Sequence, residues 1–403
     1  MKKILTLTFF LTLSAASFAQ AVSDGFYRVQ NYGSKRYTYV YDNTGSVNVQ
    51  GTTADMGAIV LYSDAHNRFT DPASVIYIHN VGKNDAYTLY DLEAQGTGVS
   101  KIINYYVSVV NGNIPGTYWV YQPTFNMYLW DAVTSTNVPK SYVKLEPGTK
   151  PDFRCWMVHP IDATTDEYLG IEPDATMKAG GKYYKPYYLG FSMTLESSGM
   201  KAYYVSDVKA DAVIIKEIQG AIPAATPVII ECSAAEATNN RVNALHDSYA
   251  PISDNKLKGN YFCYGSHSDN DRLLYDEATM RVLCVKDGRL QYATDPLHQH
   301  TTALRTSTGS DYYINANESY LEVPVGFPES IPVMTQAEYD ATHSKKGDIN
   351  GDGKVDAVDV AYIYRAIAAG TKATEAPQYD IDGDGRIDAI DVAMVYRIIA
   401  KES

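Results

Sequence analysis

Residues 348–359 read DINGDGKVDAVD, and residues 380–391 read DIDGDGRIDAID. The second copy begins 32 residues after the first. In each copy, oxygen-bearing side chains stand at positions 1, 3, 5, 9 and 12, and glycine stands at position 6. Carboxylates spaced this closely repel one another unless a cation lies between them, and Ca²⁺ takes about six to eight oxygen ligands. The two stretches therefore predict two calcium-binding loops.

The spacing is that of an EF-hand loop, in which position 7 contributes a backbone carbonyl and glycine permits the sharp turn. Position 12 is Asp in both copies, where the common EF-hand has Glu. A shorter carboxylate can still bind through both oxygens if the following helix lies closer. The predicted ligands of the first ion are Asp348, Asn350, Asp352, the Lys354 carbonyl, Asp356 (directly or through water) and Asp359. Those of the second are Asp380, Asp382, Asp384, the Arg386 carbonyl, Asp388 and Asp391.

The alternative is an acidic turn that binds no metal. With each required position filled by chance about one time in ten, a match arises on the order of 10⁻⁶ per starting residue. Two such matches so close together favour calcium.

A helical pattern follows each loop. Neither loop has room before it for the helix that normally precedes an EF-hand loop, and residues 370–377 connect the two units. We therefore predict a tandem of loop-helix units. The residues that recur at every third position are Val358, Ala361, Tyr364 and Ile367, then Ile390, Ala393, Tyr396 and Ile399.

Two Asp-rich loops, each followed by one helix with Tyr-Arg late in it, resemble the type I dockerin module over residues 346–401. The resemblance implies an all-α module that folds on binding two Ca²⁺ and docks into a cohesin module of a scaffold or surface protein. It also implies a partner-binding surface. The residues at the matching positions are Ala357, Val358, Tyr364, Arg365, Ala389, Ile390, Tyr396 and Arg397. The best-known dockerins have Ser-Thr where this chain has Ala-Val or Ala-Ile, so the particular cohesin stays open.

The first residues predict export. Lys2 and Lys3 precede an apolar run of about ten residues, which is too short to span a bilayer, and small residues follow up to Ala19. We interpret residues 1–19 as a signal peptide, with cleavage after Ala21 as the alternative. Export permits disulfides, although buried free thiols are an equal alternative. The four cysteines are Cys155, Cys232, Cys263 and Cys284.

Composition narrows the remaining function classes. The 403 residues are 45% hydrophobic and 20% charged, with a formal net charge of −13, which is typical of a folded, soluble protein. The signal peptide predicts that it is secreted or extracellular, and the dockerin would allow attachment to a cell surface. A nucleic-acid partner is not expected because the chain has neither a basic surplus nor a basic run. No apolar stretch long enough to cross a membrane follows the signal peptide. The 35 tyrosines fit half-buried strands at least as well as a sugar-stacking surface.

Residues 20–160 carry a strand-turn-strand pattern three times. The copies are 27–29 with 39–42, 77–79 with 87–91, and 118–120 with 128–131. Units of about 40 to 50 residues, all strand and turn, predict a β-trefoil, and the region resembles ricin-type trefoils. Lectins of that family usually have Gln-x-Trp near the end of each repeat, whereas this chain has Arg154-Cys155-Trp156. Trp119, Tyr128 and Trp130 are either a sugar platform or part of a strand-pair core.

Residues 161–335 predict an all-β, sandwich-like domain, since the stretch has strand-like segments separated by Gly and Pro turns and no helical periodicity. AIPAATPVII at 221–230 and INANESYL at 314–321 resemble an all-β module of secreted and surface proteins of Bacteroidetes-type bacteria, where Pro usually replaces Asn315. Residues 336–345 are the predicted linker and 346–403 the dockerin. The predicted fold is thus a mainly β cargo, composed of a trefoil-like and a sandwich-like domain, followed by a small all-α calcium-binding module with two loop-helix repeats.

The cargo has no short catalytic signature. Cys155 with His159, and His298 with His300, have spacings that arise easily by chance. Acidic residues that could serve a glycosidase are Glu146, Asp152, Asp166, Glu167, Glu172 and Glu196. We therefore expect a secreted docking protein with a non-catalytic cargo that binds polysaccharide or another surface component. The alternative is a dockerin-bearing hydrolase of O-glycosyl bonds with its site in residues 20–335.

Overall fold

The computed structural model describes residues 22–40, 46–49, 52–55, 59–63, 67–83, 88–94, 107–124, 126–133, 140–146, 151–260, 273–305, 310–343 and 345–402. The predicted signal peptide and Cys263 lie outside these ranges. Within them, no helix combines the length and the apolar character needed to cross a bilayer. The chain divides into one compact unit of residues 1–204 and 217–330 and a second of residues 205–216 and 331–403.

Among its described residues, the first part of the larger unit contains twelve strands. The three strand pairs predicted from the recurring pattern all form antiparallel neighbours: β1 with β2, β6 with β7, and β9 with β10. The bounds are β1 (Gly25–Asn31), β2 (Tyr37–Val40), β3 (Ser46–Val49), β4 (Thr52–Asp55), β5 (Ile59–Tyr62), β6 (Ile76–Lys83), β7 (Thr88–Ala94), β8 (Ser108–Asn111), β9 (Tyr118–Gln122), β10 (Met127–Asp131), β11 (Lys140–Glu146) and β12 (Cys155–Pro160).

These strands close on themselves. The neighbours run β12-β9-β10-β11-β5-β2-β1, and β1 pairs again with β12, where Val29 faces Val158. Val29, Ile78 and Trp156 belong to the buried cluster of this part, and the Trp156 indole N–H donates to the Leu129 carbonyl at 2.9 Å. Strands β1 and β2 are buried along almost their whole length, so side chains on both faces of the sheet are covered there. The region is therefore trefoil-like, with three recurring strand pairs.

The second part of the larger unit is also β. One sheet orders β13-β20-β16, and the other strand neighbours include β14-β15-β19-β17, β23-β22-β26-β21 and the hairpin β24-β25. In chain order, the remaining strands are β13 (Leu169–Gly170), β14 (Lys178–Ala179), β15 (Lys182–Tyr187), β16 (Ser192–Leu195), β17 (Lys201–Val208), β18 (Val213–Glu217), β19 (Val228–Cys232), β20 (Arg241–Leu245), β21 (Leu257–Asn260), β22 (Met280–Lys286), β23 (Arg289–Ala293), β24 (Thr301–Arg305), β25 (Ser310–Ile314), β26 (Glu318–Glu322) and β27 (Ser330–Thr335). Of these, β18 and β27 belong mostly to the smaller unit.

The two predicted cargo domains share a core. Phe26 and Tyr77, from the trefoil-like part, belong to the same buried cluster as Leu169 and Phe191. Arg28 is fully buried, and its guanidinium donates to Glu167 at 3.1 Å and to the Tyr168 carbonyl at 2.8 Å. Removing either predicted domain would expose the apolar surface of the other and separate Arg28 from Glu167.

The smaller unit contains β18, which pairs in parallel with β27, and the three helices α1 (Gln336–His343), α2 (Ala357–Ala369) and α3 (Ala389–Glu402). Helix α1 occupies most of the predicted linker. Its last residue, His343, lies 2.8 Å from an Asp211 carboxylate oxygen and stacks on Tyr339 with ring centroids 3.9 Å apart. The predicted order of a mainly β cargo and a small helical module is confirmed.

Helices α2 and α3 pack around a small core. The buried residues of this core include Val360 and Ile363 on α2 and Val392 and Val395 on α3. Helix α2 ends at Gly370, whose φ of 68° is a left-handed conformation that residues with a Cβ adopt at a cost.

Several apolar residues from which the helices were predicted do not face this core. Four of them, which we call the outer stripe, are exposed. Val358 and Tyr364 are 50% and 54% exposed, and their counterparts Ile390 and Tyr396 are 54% and 51% exposed. The pattern predicted the helices correctly, but only its last members, Ile367 and Ile399, pack against the core.

Candidate calcium-binding and docking site

The first loop is closed by its own backbone. Asp348 accepts the Gly351 N–H on Oδ1 at 2.9 Å and the Gly353 N–H on Oδ2 at 2.8 Å. Both glycines have positive φ, 74° and 83°, which turns their N–H groups toward the carboxylate. The glycine at position 6 thus has the conformational role that the sequence predicted for it.

Position 12 links the loop to its helix. Asp359 is fully buried, and its Oδ1 accepts the Ile349 N–H at 2.7 Å and the Asn350 N–H at 3.1 Å. Its Oδ2 accepts the Asp356 N–H at 2.8 Å, while the Asp356 side chain caps helix α2 through the Val358 N–H. This reciprocal capping box places the position-12 carboxylate in the first turn of the helix, where the short Asp side chain reaches back into the loop.

The second loop repeats this arrangement. Asp391 is 1% exposed and accepts the N–H groups of Ile381 at 2.6 Å, Asp382 at 3.2 Å and Asp388 at 2.8 Å. Asp380 accepts the N–H groups of the two loop glycines, at 2.8 and 2.9 Å. The aspartates at positions 1 and 12 therefore have the same backbone partners in both loops.

The two loops differ in charge at position 3. In the first loop the Asn350 amide donates to Asp352 at 3.0 Å, and this bond, followed by the Lys354 N–H, lowers the pKa of Asp352. In the second loop position 3 is Asp382. The Asp384 N–H lowers the pKa of Asp382, but desolvation and the charges of neighbouring aspartates outweigh that bond, so its pKa is raised. The second loop concentrates more negative charge.

The donor set fits calcium. Carboxylate oxygens of Asp380, Asp382 and Asp384 lie within 4.8 Å of one another, as expected for ligands around an ion with metal-oxygen distances of about 2.4 Å. All predicted side-chain ligands are oxygen donors, which hard cations prefer. The Lys354 and Arg386 side chains are exposed, in keeping with a contribution through the carbonyl. The individual ligand assignments remain predictions.

The predicted partner-binding residues lie on exposed faces of α2 and α3. Ala357, Arg365, Ala389 and Arg397 are exposed, as are the four large residues of the outer stripe described above. Sequence reasoning missed Tyr362, which is 37% exposed with the Arg365 guanidinium 5.7 Å from its ring centre. Its position four residues after Val358 places it on the same helix face, so helical spacing was a usable signal.

The C-terminal module matches a known protein family. Residues 346–400 match the family model of the dockerin type I domain. Calcium binding and cohesin-directed docking are properties of dockerin domains, so the match supports both for this module. No curated protein matches the chain.

The cargo is similar in part to solved structures. A designed three-fold symmetric protein, ThreeFoil, is 17% identical over 34% of this chain and 99% of its own, with a TM-score of 0.25. A Caenorhabditis elegans protein of unknown function is 11% identical over 36% of this chain and 98% of its own (TM-score 0.26). The Rhizoctonia solani agglutinin is 13% identical over 35% and 97% (TM-score 0.23). The trefoil-like description therefore depends on the strand pairing of this chain itself.

The aromatic residues considered for a sugar platform are not free. Trp130 is 7% exposed, with the Lys144 ammonium 4.3 Å from its ring centre. The Arg154 guanidinium lies 4.5 Å from the Trp119 ring centre and 5.0 Å from that of Tyr128. These contacts favour the strand-pair core over the platform.

The cysteine and histidine candidates have structural partners. Cys155 is a buried free thiol that contacts the Trp119 indole N–H and Asn113, whereas His159 lies 3.3 Å from Gln30. Cys232 and Cys284 are also free, so the disulfides considered among the described cysteines are not formed. Burial raises the pKa of Cys232 to about 12, which makes its thiolate scarce at neutral pH.

Proposed function

We propose that the protein is a secreted, calcium-dependent docking protein that attaches its β-rich cargo to a cohesin-bearing scaffold or surface. The observation that carries the proposal is the pair of oxygen-lined loops, each with a buried position-12 aspartate that accepts the backbone N–H of the position-9 aspartate. Two bound Ca²⁺ would neutralise the clustered carboxylates and hold both loops in this geometry.

The docking surface follows from the loops. Each loop leads directly into a helix, so ordering the loop also orients the exposed stripe of Val358 and Tyr364, or of Ile390 and Tyr396. Exposed apolar residues that repeat on two related helices are typical of a protein-protein contact. We propose that this stripe and its arginines receive the cohesin.

For the cargo we propose polysaccharide binding without cleavage. Among the acidic residues considered for a glycosidase, Glu167 is engaged by Arg28 and Arg68 in ion pairs of 3.1 and 3.2 Å, which favours a structural role for it. The alternative is a glycoside hydrolase with its site in residues 20–335. Release of reducing sugar by the full-length protein would favour that alternative.

The docking proposal is tested by binding the full-length protein to a panel of immobilised cohesin modules, with calcium and then with chelator. We expect binding to at least one cohesin in calcium and none in chelator. Val358→Asp with Ile390→Asp should abolish binding while the helical signal persists. The matched control is Ala368→Asp, which places the same charge at an exposed position at the far end of α2. Calcium-independent binding, or loss of binding in the control alone, would contradict the proposal.

A further inference from the structure

Three cavities of the larger unit meet at one lysine. Lys185, on β15, borders cavities of about 140, 340 and 580 Å³. The two larger cavities fall in the size range of sites for small organic ligands, about 300 to 1,000 Å³. Tyr187, on the same strand, lines both of them. We call the three cavities together the Lys185 cleft.

The centre of the Lys185 cleft is a connected set of polar groups. The Lys185 ammonium lies 2.7 Å from Glu318 Oε1, and the Asn315 amide donates to Glu318 Oε2 at 3.0 Å. Thr302 donates to the Asn315 side-chain oxygen at 2.6 Å. These bonds fix the orientation of each donor and acceptor, so the cleft presents a preorganised surface to a ligand.

The INANESYL motif supplies part of this site. Asn315 and Glu318 both belong to it, and Ala316 and Asn317 line the 340 Å³ cavity beside them. This motif was related to an all-β module by sequence resemblance alone. Its polar residues now have a place at the edge of a cleft.

Charge selects among possible ligands. Carboxylates outnumber ammonium groups on the walls, and the pKa of Lys185 is raised: desolvation lowers it, but Glu318 outweighs that effect. Lys185 is therefore charged yet already neutralised by Glu318. An anionic ligand would meet net repulsion, whereas a neutral ligand rich in hydroxyl groups can donate to the carboxylates and accept from the amides. The wall carboxylates are Asp71, Glu172, Asp174, Glu236 and Glu318.

We propose that the Lys185 cleft binds a neutral oligosaccharide segment, contacted by Lys185, Glu318 and Asn315. The inference depends on the proposed polysaccharide-binding cargo and adds its location and the class of sugar. Acidic sugars should be excluded by the wall carboxylates.

The test is calorimetric titration of the full-length protein with cellohexaose, xylohexaose, mannohexaose and laminarihexaose, and with hexagalacturonate and spermine as charged probes. We expect at least one neutral hexaose to bind and hexagalacturonate not to bind. Glu318→Gln should weaken binding about tenfold or more, because it removes a charged acceptor without changing shape.

Two further variants make the result interpretable. Ala316→Trp fills the cavity while removing no polar group, so it tests the site even if Glu318→Gln fails to fold. Lys201→Met is the matched control for Lys185→Met, since Lys201 also pairs with a glutamate, Glu217 at 3.1 Å, but lines none of the three cavities. Binding should fall in Ala316→Trp and Lys185→Met and stay unchanged in Lys201→Met.

The outcomes separate this inference from the proposed function. Hexaose binding that no cleft variant weakens would overturn the Lys185 cleft and leave polysaccharide binding in place. No binding of any neutral hexaose would overturn both, while cohesin docking, measured separately, would be unaffected. Tighter binding of spermine or hexagalacturonate than of every hexaose would overturn the ligand class.

Discussion

The cargo and the dockerin module are stabilised in different ways. The cargo has two extensive buried clusters, and one of them joins both predicted domains. The buried core of the dockerin module consists of Val355, Val360, Ile363, Ile381, Val392 and Val395. A core this small rarely stabilises a fold alone, so we expect ion binding to contribute much of the folding free energy of the module. The prediction is thus that packing stabilises the cargo and a metal stabilises the dockerin module.

Removal of calcium by a chelator should have the largest effect, because it should unfold the dockerin module and leave the cargo folded. With calcium removed, we expect the helical circular dichroism signal of residues 346–401 to disappear and proteolysis there to accelerate, because the clustered carboxylates repel without an ion. The cargo should keep its near-ultraviolet signal. Unchanged helicity and unchanged cleavage in chelator would show that the module does not need the metal.

Substitution at position 12 should be the next largest effect. Asp391→Ala leaves three backbone N–H groups without their acceptor, and we expect the calcium-saturated module to lose on the order of 3 kcal/mol. Asp359→Ala should lower the stability by a similar amount, because Asp359 also accepts three backbone N–H groups. Urea unfolding followed by helical signal measures both, with the exposed Glu375→Ala as control. A loss no larger than in the control would contradict the role given to position 12.

Position 3 should distinguish the two loops. Asp382→Asn removes a charge from the crowded loop, so we expect a more stable calcium-free module and a calcium Kd raised about tenfold at that loop. Asn350→Asp should do the opposite in the first loop. Calcium titration of both variants compares them directly. Shifts in the same direction would show that charge at position 3 does not set the difference between the loops.

The smallest expected effect is a pH dependence of helix α1. The pKa of His343 is raised by the hydrogen bond to the Tyr339 carbonyl and then by Asp211. A raised folded-state pKa gives stability that is present below the ordinary value of about 6.5 and lost as pH rises through the folded value. Amide exchange of α1 should therefore accelerate across that window. The dependence should vanish in His343→Gln and persist in Asp340→Asn, whose charge has only a minor influence.

Local spacing made much of the dockerin module predictable. A twelve-residue loop brings its own ligands together, so the order of the aspartates and glycines suffices to predict their convergence. The three strand pairs of the cargo were likewise predictable, since each joins neighbours in sequence. The buried face of α2 was not, because Val360 and Ile363 differ from Val358 and Tyr364 only in which side another helix covers.

The two Asp-rich loops, their helices and the β character of the cargo could be predicted from the sequence, because these features depend on residues close together in the chain. The core shared by the two predicted cargo domains and the Lys185 cleft became visible only in the folded structure. Lys185 and Glu318 are 133 residues apart, and no local pattern relates them. The physical reason is that burial and the meeting of distant side chains depend on how strands pack, which hydrophobic periodicity leaves undetermined.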